Sequence, residues 1–262
     1  MTEPESASNR PPTRQTGQAL LLEIHGLSRR FGGLQAVKDL SFTVDEGEVV
    51  ALIGPNGAGK TTAFALISGF LIPDTGRVIF RGRDLAGLKP HQVNALGLAR
   101  TFQIMRPFPR LTVVRNVMIA TLGRHPDPAD AERRARAVLA ELGLGDKADL
   151  PAGRLTLAER KRLELARALG TEPALLLLDE VMSGLNEVET ERIVELIRAI
   201  NRRGVAILLI EHVMRAVMSL AQRIVVLNYG ERIAEGSPEA VAADPRVIEA
   251  YLGDEEVAGA PA

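Results

Sequence analysis

The sequence contains no cysteine, no excess of one charge and no apolar run long enough to cross a membrane. Without cysteine among its 262 residues, the chain has no disulfide framework and no cysteine-ligated metal, which is consistent with a reducing cytoplasm. Lys and Arg number 32 and Asp and Glu 33, for a formal net charge of −1, so no overall basic field favours a nucleic-acid partner. The longest apolar runs, such as 205–210, have the length of a buried strand and not the ~20 residues of a membrane span.

The two ends of the chain differ in composition from its middle. Residues 1–19 are polar, rich in Pro, Ser and Thr, and have no apolar core of the kind found in a signal peptide. We therefore expect a disordered N-terminal tail at 1–19 and a second tail at 254–262. The folded domain is expected to span residues 20–253.

Within that domain the hydrophobic periodicity changes twice. Residues 20–53 and 77–85 alternate apolar and polar side chains around turn signals, which predicts an antiparallel β layer. Between about 90 and 170 the period becomes helical. After residue 173, short apolar strands alternate with helices, a pattern typical of a parallel sheet.

The strongest motif is a glycine-rich loop that ends in Lys60 and Thr61. It follows the apolar run 49–53 and precedes a helix-like run at 62–68, the context in which such a loop cradles phosphates with backbone N–H groups. Lys60 is expected to reach the β- and γ-phosphates, and the Thr61 hydroxyl to ligate Mg²⁺. The predicted nucleotide-binding residues are Gly54, Pro55, Asn56, Gly57, Ala58, Gly59, Lys60, Thr61 and Thr62.

A second candidate site lies where the apolar run 175–178 ends in Asp179 and Glu180. Consecutive side chains of a strand point in different directions, so one acid can hold Mg²⁺ through water while the other faces an attacking water. The interval from residue 60 to residue 179 is longer than a compact nucleotide-binding core needs. The expected fold class is therefore α/β: a P-loop NTPase core with a parallel sheet, an antiparallel β subdomain and an inserted α-helical subdomain at about 90–170.

Further motifs complete an ordered set that resembles the ATP-binding subunits of ABC transporters over residues about 21–253. In chain order the set comprises the loop 54–62, Thr101-Phe102-Gln103, the signature segment 155–159, Asp179-Glu180, residues 183–186, and Glu211-His212. The resemblance implies an ATPase that uses ATP and Mg²⁺. It also implies a peripheral position on the cytoplasmic face of the inner membrane.

The resemblance also implies a role for individual residues. Gln103 would contact Mg²⁺ and the attacking water, Asp179 would hold the metal, and Glu180 would be the general base. His212 would contact the γ-phosphate, with a histidine that only completes a strand end as the alternative. Phe31 would stack on adenine, with an ordinary core phenylalanine as the alternative.

The signature segment departs from the Leu-Ser-Gly-Gly-Gln that is usual in the family. In the family this segment opens a helix and presents its N-terminus to ATP held by the other subunit. Thr156 keeps a hydroxyl, and a helical N–H does not require glycine, so Ala158 can still donate. Thr156 and Glu159 also form a capping-box pattern. We expect both roles together, with capping alone as the alternative, for the five residues Leu155, Thr156, Leu157, Ala158 and Glu159.

Kinship within the family points to a solute and to partners. Residues 210–214 and 245–253 look similar to the branched-chain amino acid importer ATPases, whose relatives take up urea, short amides and other amino acids. The expected partners are a second ATP-binding subunit, identical or paralogous, and membrane permeases docking near Ile104–Phe108. A solute-binding protein would act indirectly. The alternatives are an ATPase of a lipopolysaccharide-type exporter and a soluble, non-transport ABC ATPase. Only 52 residues separate Gln103 from Leu155, too few for the coiled-coil arms of DNA-repair members.

Overall fold

Two β-sheets of different strand direction form the body of the molecule. The computed structural model describes residues 19–102 and 107–258, with side chains described as far as residue 251. The first sheet is antiparallel and has the strand order β2-β1-β4-β5. Its strands are β1 (Leu20–Phe31), β2 (Leu34–Asp45), β4 (Thr75–Phe80) and β5 (Arg83–Asp84).

The second sheet has six strands in the order β10-β9-β3-β8-β7-β6, and only the edge strand β10 is antiparallel to its neighbour. Every residue of β3, β7 and β8 is buried, as expected for parallel strands covered on both faces. Because these strands are parallel, their carboxyl ends share one edge, which brings together the segments that follow Ile53, Asp179 and Ile210. The strands are β3 (Val49–Ile53), β6 (Leu98–Arg100), β7 (Leu175–Asp179), β8 (Ala206–Ile210), β9 (Arg223–Asn228) and β10 (Glu231–Gly236).

Helices cover both faces of the parallel sheet, and α3 (Val113–Thr121), α4 (Pro128–Glu141) and α5 (Leu157–Leu169) pack against one another on one of them. In this group, α4 buries Ala131, Ala135 and Leu139, which follow the helical period of the sequence. No helix in the described part of the chain is long and apolar enough to span a membrane. The helices are α1 (Lys60–Ile67), α2 (Pro90–Ala95), α3 (Val113–Thr121), α4 (Pro128–Glu141), α5 (Leu157–Leu169), α6 (Glu187–Arg202), α7 (Met214–Leu220), α8 (Pro238–Ala242) and α9 (Pro245–Ala258).

The structure confirms the predicted fold class and differs from the sequence prediction at three boundaries. β3 falls within the segment 20–53 but joins the parallel sheet, because its uniformly apolar residues suit a strand covered on both faces. β6 falls within the predicted helical segment 90–170, since three residues are too few to show a period. α9 continues to residue 258, beyond the start of the predicted C-terminal tail. Residues 1–18 of the predicted N-terminal tail lie outside the described residues.

Candidate active site

A cleft of about 570 Å³ opens at the carboxyl edge of the parallel sheet. One wall is the glycine-rich loop with the first turn of α1, and the opposite wall carries Glu180 and His212. The lining residues are Phe31, Leu34, Gln35, Ala36, Asn56, Gly57, Ala58, Gly59, Lys60, Thr61, Thr62, Glu180, His212 and Tyr229. The cleft therefore unites the predicted phosphate loop with Glu180 and His212, two predicted catalytic residues that lie more than a hundred positions away.

Two glycines of the loop are required by its surroundings. Gly54 has φ 148° and Gly59 has φ 101°, both in the region that favours glycine. A Cβ on Gly54 would lie 2.0 Å from the carbonyl oxygen of Leu227, and one on Gly59 would lie 2.2 Å from that of Ala36. Backbone carbonyl oxygens of β9 and β2 therefore leave no space for a side chain at Gly54 and Gly59.

The first turn of α1 has no side-chain cap and begins with a buried lysine. Gly59 occupies the N-cap position, and no side chain accepts a hydrogen bond there. Lys60 is 6% exposed, and its ammonium donates to the carbonyl oxygens of Gly54 and Pro55, each at 2.7 Å. An uncapped helix start with an adjacent cation is suited to an anion such as a phosphate group.

The opposite wall holds a carboxylate against an imidazole. Glu180 follows β7 and has φ 50°, an unfavourable conformation for a residue with a Cβ. Its N–H donates to the carbonyl oxygen of Ile210 at 2.9 Å. Its Oε1 lies 2.6 Å from Nε2 of His212. The predicted base and the predicted phosphate-contacting histidine therefore meet at one point of the cleft.

Asp179 is buried beside the cleft and has one unpaired oxygen. Its Oδ2 accepts from Nη2 of Arg100 at 2.8 Å, whereas its buried Oδ1 has no hydrogen-bond partner among the described residues. Thr61, a residue with a hydroxyl group, lines the cleft. No cluster of three or more His, Asp and Glu side chains that could hold a metal occurs in the described ranges. Mg²⁺ is usually bound through one or two carboxylates and substrate phosphates, so a carboxylate oxygen and a hydroxyl fit this ion.

Arg100 is a site residue that the sequence analysis missed. Its guanidinium lies 5.7 Å from the ring centroid of Phe64, 5.9 Å from that of Phe70 and 5.4 Å from that of Phe102. These rings hold the cation against Asp179, since aromatic faces attract guanidinium groups. The available signal was an arginine at the end of an apolar run, directly before Thr101-Phe102.

The signature segment forms the predicted capping box. The Thr156 hydroxyl accepts from the N–H of Glu159 at 3.4 Å, and Oε2 of Glu159 accepts from the N–H of Thr156 at 2.9 Å. Lys147 forms an ion pair with Glu159, and its hydrogen bond lowers the pKa of that carboxyl below the ordinary value. Leu155 is buried, whereas Thr156 is exposed. Residues 155–159 are not among the described residues that line the cleft.

The remaining predicted residues differ in how far the structure describes them. Phe31 is 44% exposed in the cleft wall, with the Arg29 guanidinium 5.1 Å from its ring centroid. Gln103 and residues 104–106 lie outside the described residues. Phe108, at the end of the predicted docking segment, is 46% exposed, and the Arg167 guanidinium lies 5.7 Å from its ring centroid.

Comparison with known proteins shows the same kinship along the chain. The family model of the ABC transporter matches residues 37–183, and that of the branched-chain amino acid ATP-binding cassette transporter matches residues 231–257. The chain is 42% identical to the high-affinity branched-chain amino acid transport ATP-binding protein LivG of Salmonella typhimurium, over 89% of this chain and 98% of that one.

Two further relatives extend the comparison. The lipopolysaccharide export system ATP-binding protein LptB of Acidithiobacillus ferridurans is 34% identical over 90% of this chain and 98% of its own. The crystal structure of the ADP conformation of an ATP-binding cassette of an ABC transporter superposes with a TM-score of 0.82. It is 30% identical, with 90% of this chain and 99% of that chain covered.

Proposed function

We propose that this chain powers the uptake of branched-chain or related amino acids. The chain belongs to the ABC transporter family and is a nucleotide-binding ATPase subunit of it. The observation that carries the solute class is the match of residues 231–257 to the branched-chain family model. The 42% identity to LivG over nearly its whole length supports the same class. Urea and short amides remain within the range of related solutes.

A lipopolysaccharide-type exporter is the second candidate, favoured by the 34% identity to LptB. It ranks lower because the identity to LivG is greater and because the C-terminal segment matches the branched-chain family model. A soluble, non-transport ABC ATPase has no comparable observation in its favour.

For hydrolysis, the chain's own residues divide into phosphate binding and proton transfer. The loop residues Gly54 to Thr62 hold the phosphates, with Lys60 neutralising charge that develops as the γ-phosphoryl group leaves. Glu180 accepts the proton of the attacking water, and His212 holds the Glu180 carboxylate and contacts the γ-phosphate. Phe31 stacks on the base from the cleft wall.

Mg²⁺ would be held by Thr61, Asp179 and Gln103, either directly or through water. When bound, Mg²⁺ neutralises the negative charge on the β- and γ-phosphates. Arg100 pairs with Asp179 and orients its carboxylate next to the loop.

The partners follow from the position of the signature. A second ATP-binding subunit, identical or paralogous, places its helix start at the ATP of this chain, and the segment Leu155–Glu159 serves the partner in return. Membrane permeases dock near Ile104–Phe108 on the cytoplasmic face of the inner membrane. A solute-binding protein acts through those permeases.

Replacing Phe108 by Asp tests the docking surface. The ring is 46% exposed, so we expect the isolated subunit to retain its ATPase rate while solute-stimulated hydrolysis in the assembled transporter falls by about tenfold, because the apolar contact is lost. Leu34 is also an exposed apolar residue outside this segment, but it lines the cleft, so Leu34→Asp is not a suitable control. Val188→Asp, 76% exposed on α6, is the matched control. Global unfolding of the Phe108 variant, or unchanged transport, would assign Phe108 to the core or to an uninvolved surface.

Uptake by the reconstituted transporter tests the solute class. The chain is assembled with its permeases in vesicles, and ATP-driven accumulation of labelled leucine, urea and a lipopolysaccharide is compared. Leucine accumulation that is lost with the Lys60→Ala variant is the expected result. Movement of lipopolysaccharide alone would favour the second candidate and contradict the proposed solute.

A further inference from the structure

Two charged side chains beside the catalytic edge are buried and have no role in the site described so far. Lys161 lies on α5 and is 5% exposed; Glu211 directly follows β8 and is 3% exposed. Lysine and glutamate are almost never this deeply buried unless a partner compensates the charge. Each of them contacts the backbone of the loop that carries Glu180.

Lys161 holds the carbonyl group of the catalytic glutamate. Its Nζ donates to the backbone oxygen of Glu180 at 2.9 Å. The N–H of Glu180 already donates to the carbonyl oxygen of Ile210 at 2.9 Å. The left-handed backbone of Glu180 is therefore fixed on both sides, once by the end of β8 and once by α5, which compensates for its unfavourable φ of 50°.

Glu211 holds the same loop two residues further on. Its Oε1 accepts from the N–H of Met182 at 2.8 Å. The next residue is His212, whose ring nitrogen lies 2.6 Å from the Glu180 carboxylate. A movement of the backbone at Glu211 therefore changes both the loop and the imidazole that faces the base.

The two buried charges also act on each other. Burial raises the pKa of the Glu211 carboxyl, while the N–H groups of Met182 and His212 and the charge of Lys161 act in the opposite direction. Burial lowers the pKa of the Lys161 ammonium, while the carboxylates of Glu211, Glu180 and Asp179 oppose that change. Loss of either charge therefore removes one compensating partner from the other, which stays in a low-dielectric interior.

Lys161 also shares a rigid helix with the signature segment. Thr156 caps α5, and Lys161 lies five residues later, about 7.5 Å along the helix axis. A displacement at the start of α5 is therefore carried to the Glu180 carbonyl group through about one and a half turns of helix. Lys161 is the one side chain of α5 for which the described residues show a hydrogen bond to the backbone of Glu180.

We propose that Lys161 and Glu211 are positioning residues that hold Glu180 and His212 in the geometry for hydrolysis and connect that geometry to the start of α5. This inference rests on the proposed ATPase site and is independent of the transported solute. Engagement of Thr156 by the partner subunit's ATP thereby bears on the base in the same chain.

The first test compares Lys161→Met with Lys161→Arg in the full chain. Methionine keeps the chain as far as Cε and removes the charge and the donor. We therefore expect kcat for ATP to fall by about tenfold or more, with KM and nucleotide affinity unchanged, because the base is misplaced but the phosphate loop is intact. Arginine keeps both charge and donor and should restore most of kcat. Arg162→Met is the matched control.

Arg162 is the next residue of α5 and is likewise a cation with donors, half-buried where Lys161 is buried. It donates to the carbonyl oxygens of Leu142 and Gly143 just after α4, and the described residues show no hydrogen bond from it to the loop that carries Glu180. Its replacement should lower the melting temperature and leave kcat within about twofold of the wild type.

The second test adds Glu211→Gln, which removes the buried charge and keeps an acceptor for the Met182 N–H. The double variant Lys161→Met/Glu211→Gln leaves no uncompensated charge, so it should melt close to the wild type even if Lys161→Met alone fails to fold. We expect its kcat to remain low, because the Glu180 carbonyl group still lacks its donor.

Two results would overturn the inference. One is a kcat for Lys161→Met like that of the wild type; the other is a double variant that regains kcat together with its melting temperature, which would make the pair a support of the fold alone. Failure of the proposed function would give a different result, because the wild-type chain itself would then show no ATP hydrolysis or no amino-acid uptake.

Discussion

Helices α1 and α5 differ in how the first backbone N–H groups of each helix are capped. The first N–H groups of any helix have no partner within the helix. At α1, glycines with positive φ precede the helix, and no side chain caps it. At α5, Thr156 and Glu159 cap the helix reciprocally through their own side chains and backbone N–H groups.

The difference shows why one motif tolerates substitution and the other does not. The loop before α1 is squeezed by the carbonyl oxygens of Leu227 and Ala36, so glycine is required at Gly54 and Gly59. Leu157 and Ala158 are simply the first helical residues of α5, a position that any L-residue adopts. A signature without glycine therefore keeps its helix start, whereas a phosphate loop without glycine loses its shape.

Lys60→Ala should have the largest effect of any change at α1. Removing the buried cation leaves the phosphate charge without neutralisation, so we expect the ATPase rate to fall by about 10⁴-fold and nucleotide binding to weaken. Lys38→Ala, which removes an exposed lysine paired with Glu231, is the control. Hydrolysis by purified Lys60→Ala at the wild-type rate would remove Lys60 from the phosphate site.

Glu180→Gln should separate ATP binding from hydrolysis. An amide cannot accept the proton, so the rate should fall by about 10³-fold while ATP and Mg²⁺ stay bound. Two subunits should then remain closed around two ATP molecules. We expect a dimer with ATP and a monomer without it in size-exclusion chromatography.

Thr156→Arg, added to Glu180→Gln, asks whether the α5 start engages ATP at all. The bulky side chain occupies the approach of the phosphate, so the ATP-dependent dimer should disappear while the monomer still binds nucleotide. A dimer that survives the arginine, or that forms without nucleotide, would restrict the segment to capping.

Gly54→Ala should show how rigid the loop before α1 is. The new Cβ would lie 2.0 Å from the Leu227 carbonyl oxygen, so we expect a loss of about 3 kcal/mol in the free energy of unfolding and a melting temperature roughly 10 °C lower. Gly33→Ala is the matched control, because its Cβ would meet no atom within 4 Å. Equal melting temperatures for the two variants would show that the loop can yield.

Thr156→Ala should have the smallest effect. It removes one side-chain cap of α5, worth about 1 kcal/mol, and should lower the melting temperature by a few degrees. Thr156→Ser keeps the hydroxyl and should melt like the wild type. If the serine variant lost as much stability as the alanine variant, the methyl group and not the cap would be what stabilises the helix start.

The sequence could predict those parts of the site whose interactions are local. The phosphate loop follows its own strand and precedes its own helix, and the capping box joins Thr156 to Glu159 three positions later. Such features depend on short spacings along the chain, so they can be predicted from the sequence without the tertiary structure. The uniformly apolar strand before Asp179 likewise indicates its own buried position.

Tertiary structure alone decided which distant residues complete the site. Arg100 meets Asp179 across 79 positions, and Lys161 meets the carbonyl group of Glu180 across 19. The restriction at Gly54 comes from Leu227, which pairing of β3 with β9 brings alongside. These contacts are set by strand order and helix packing. A charged residue needs a partner once it is buried, but the sequence does not indicate which distant residue that partner is.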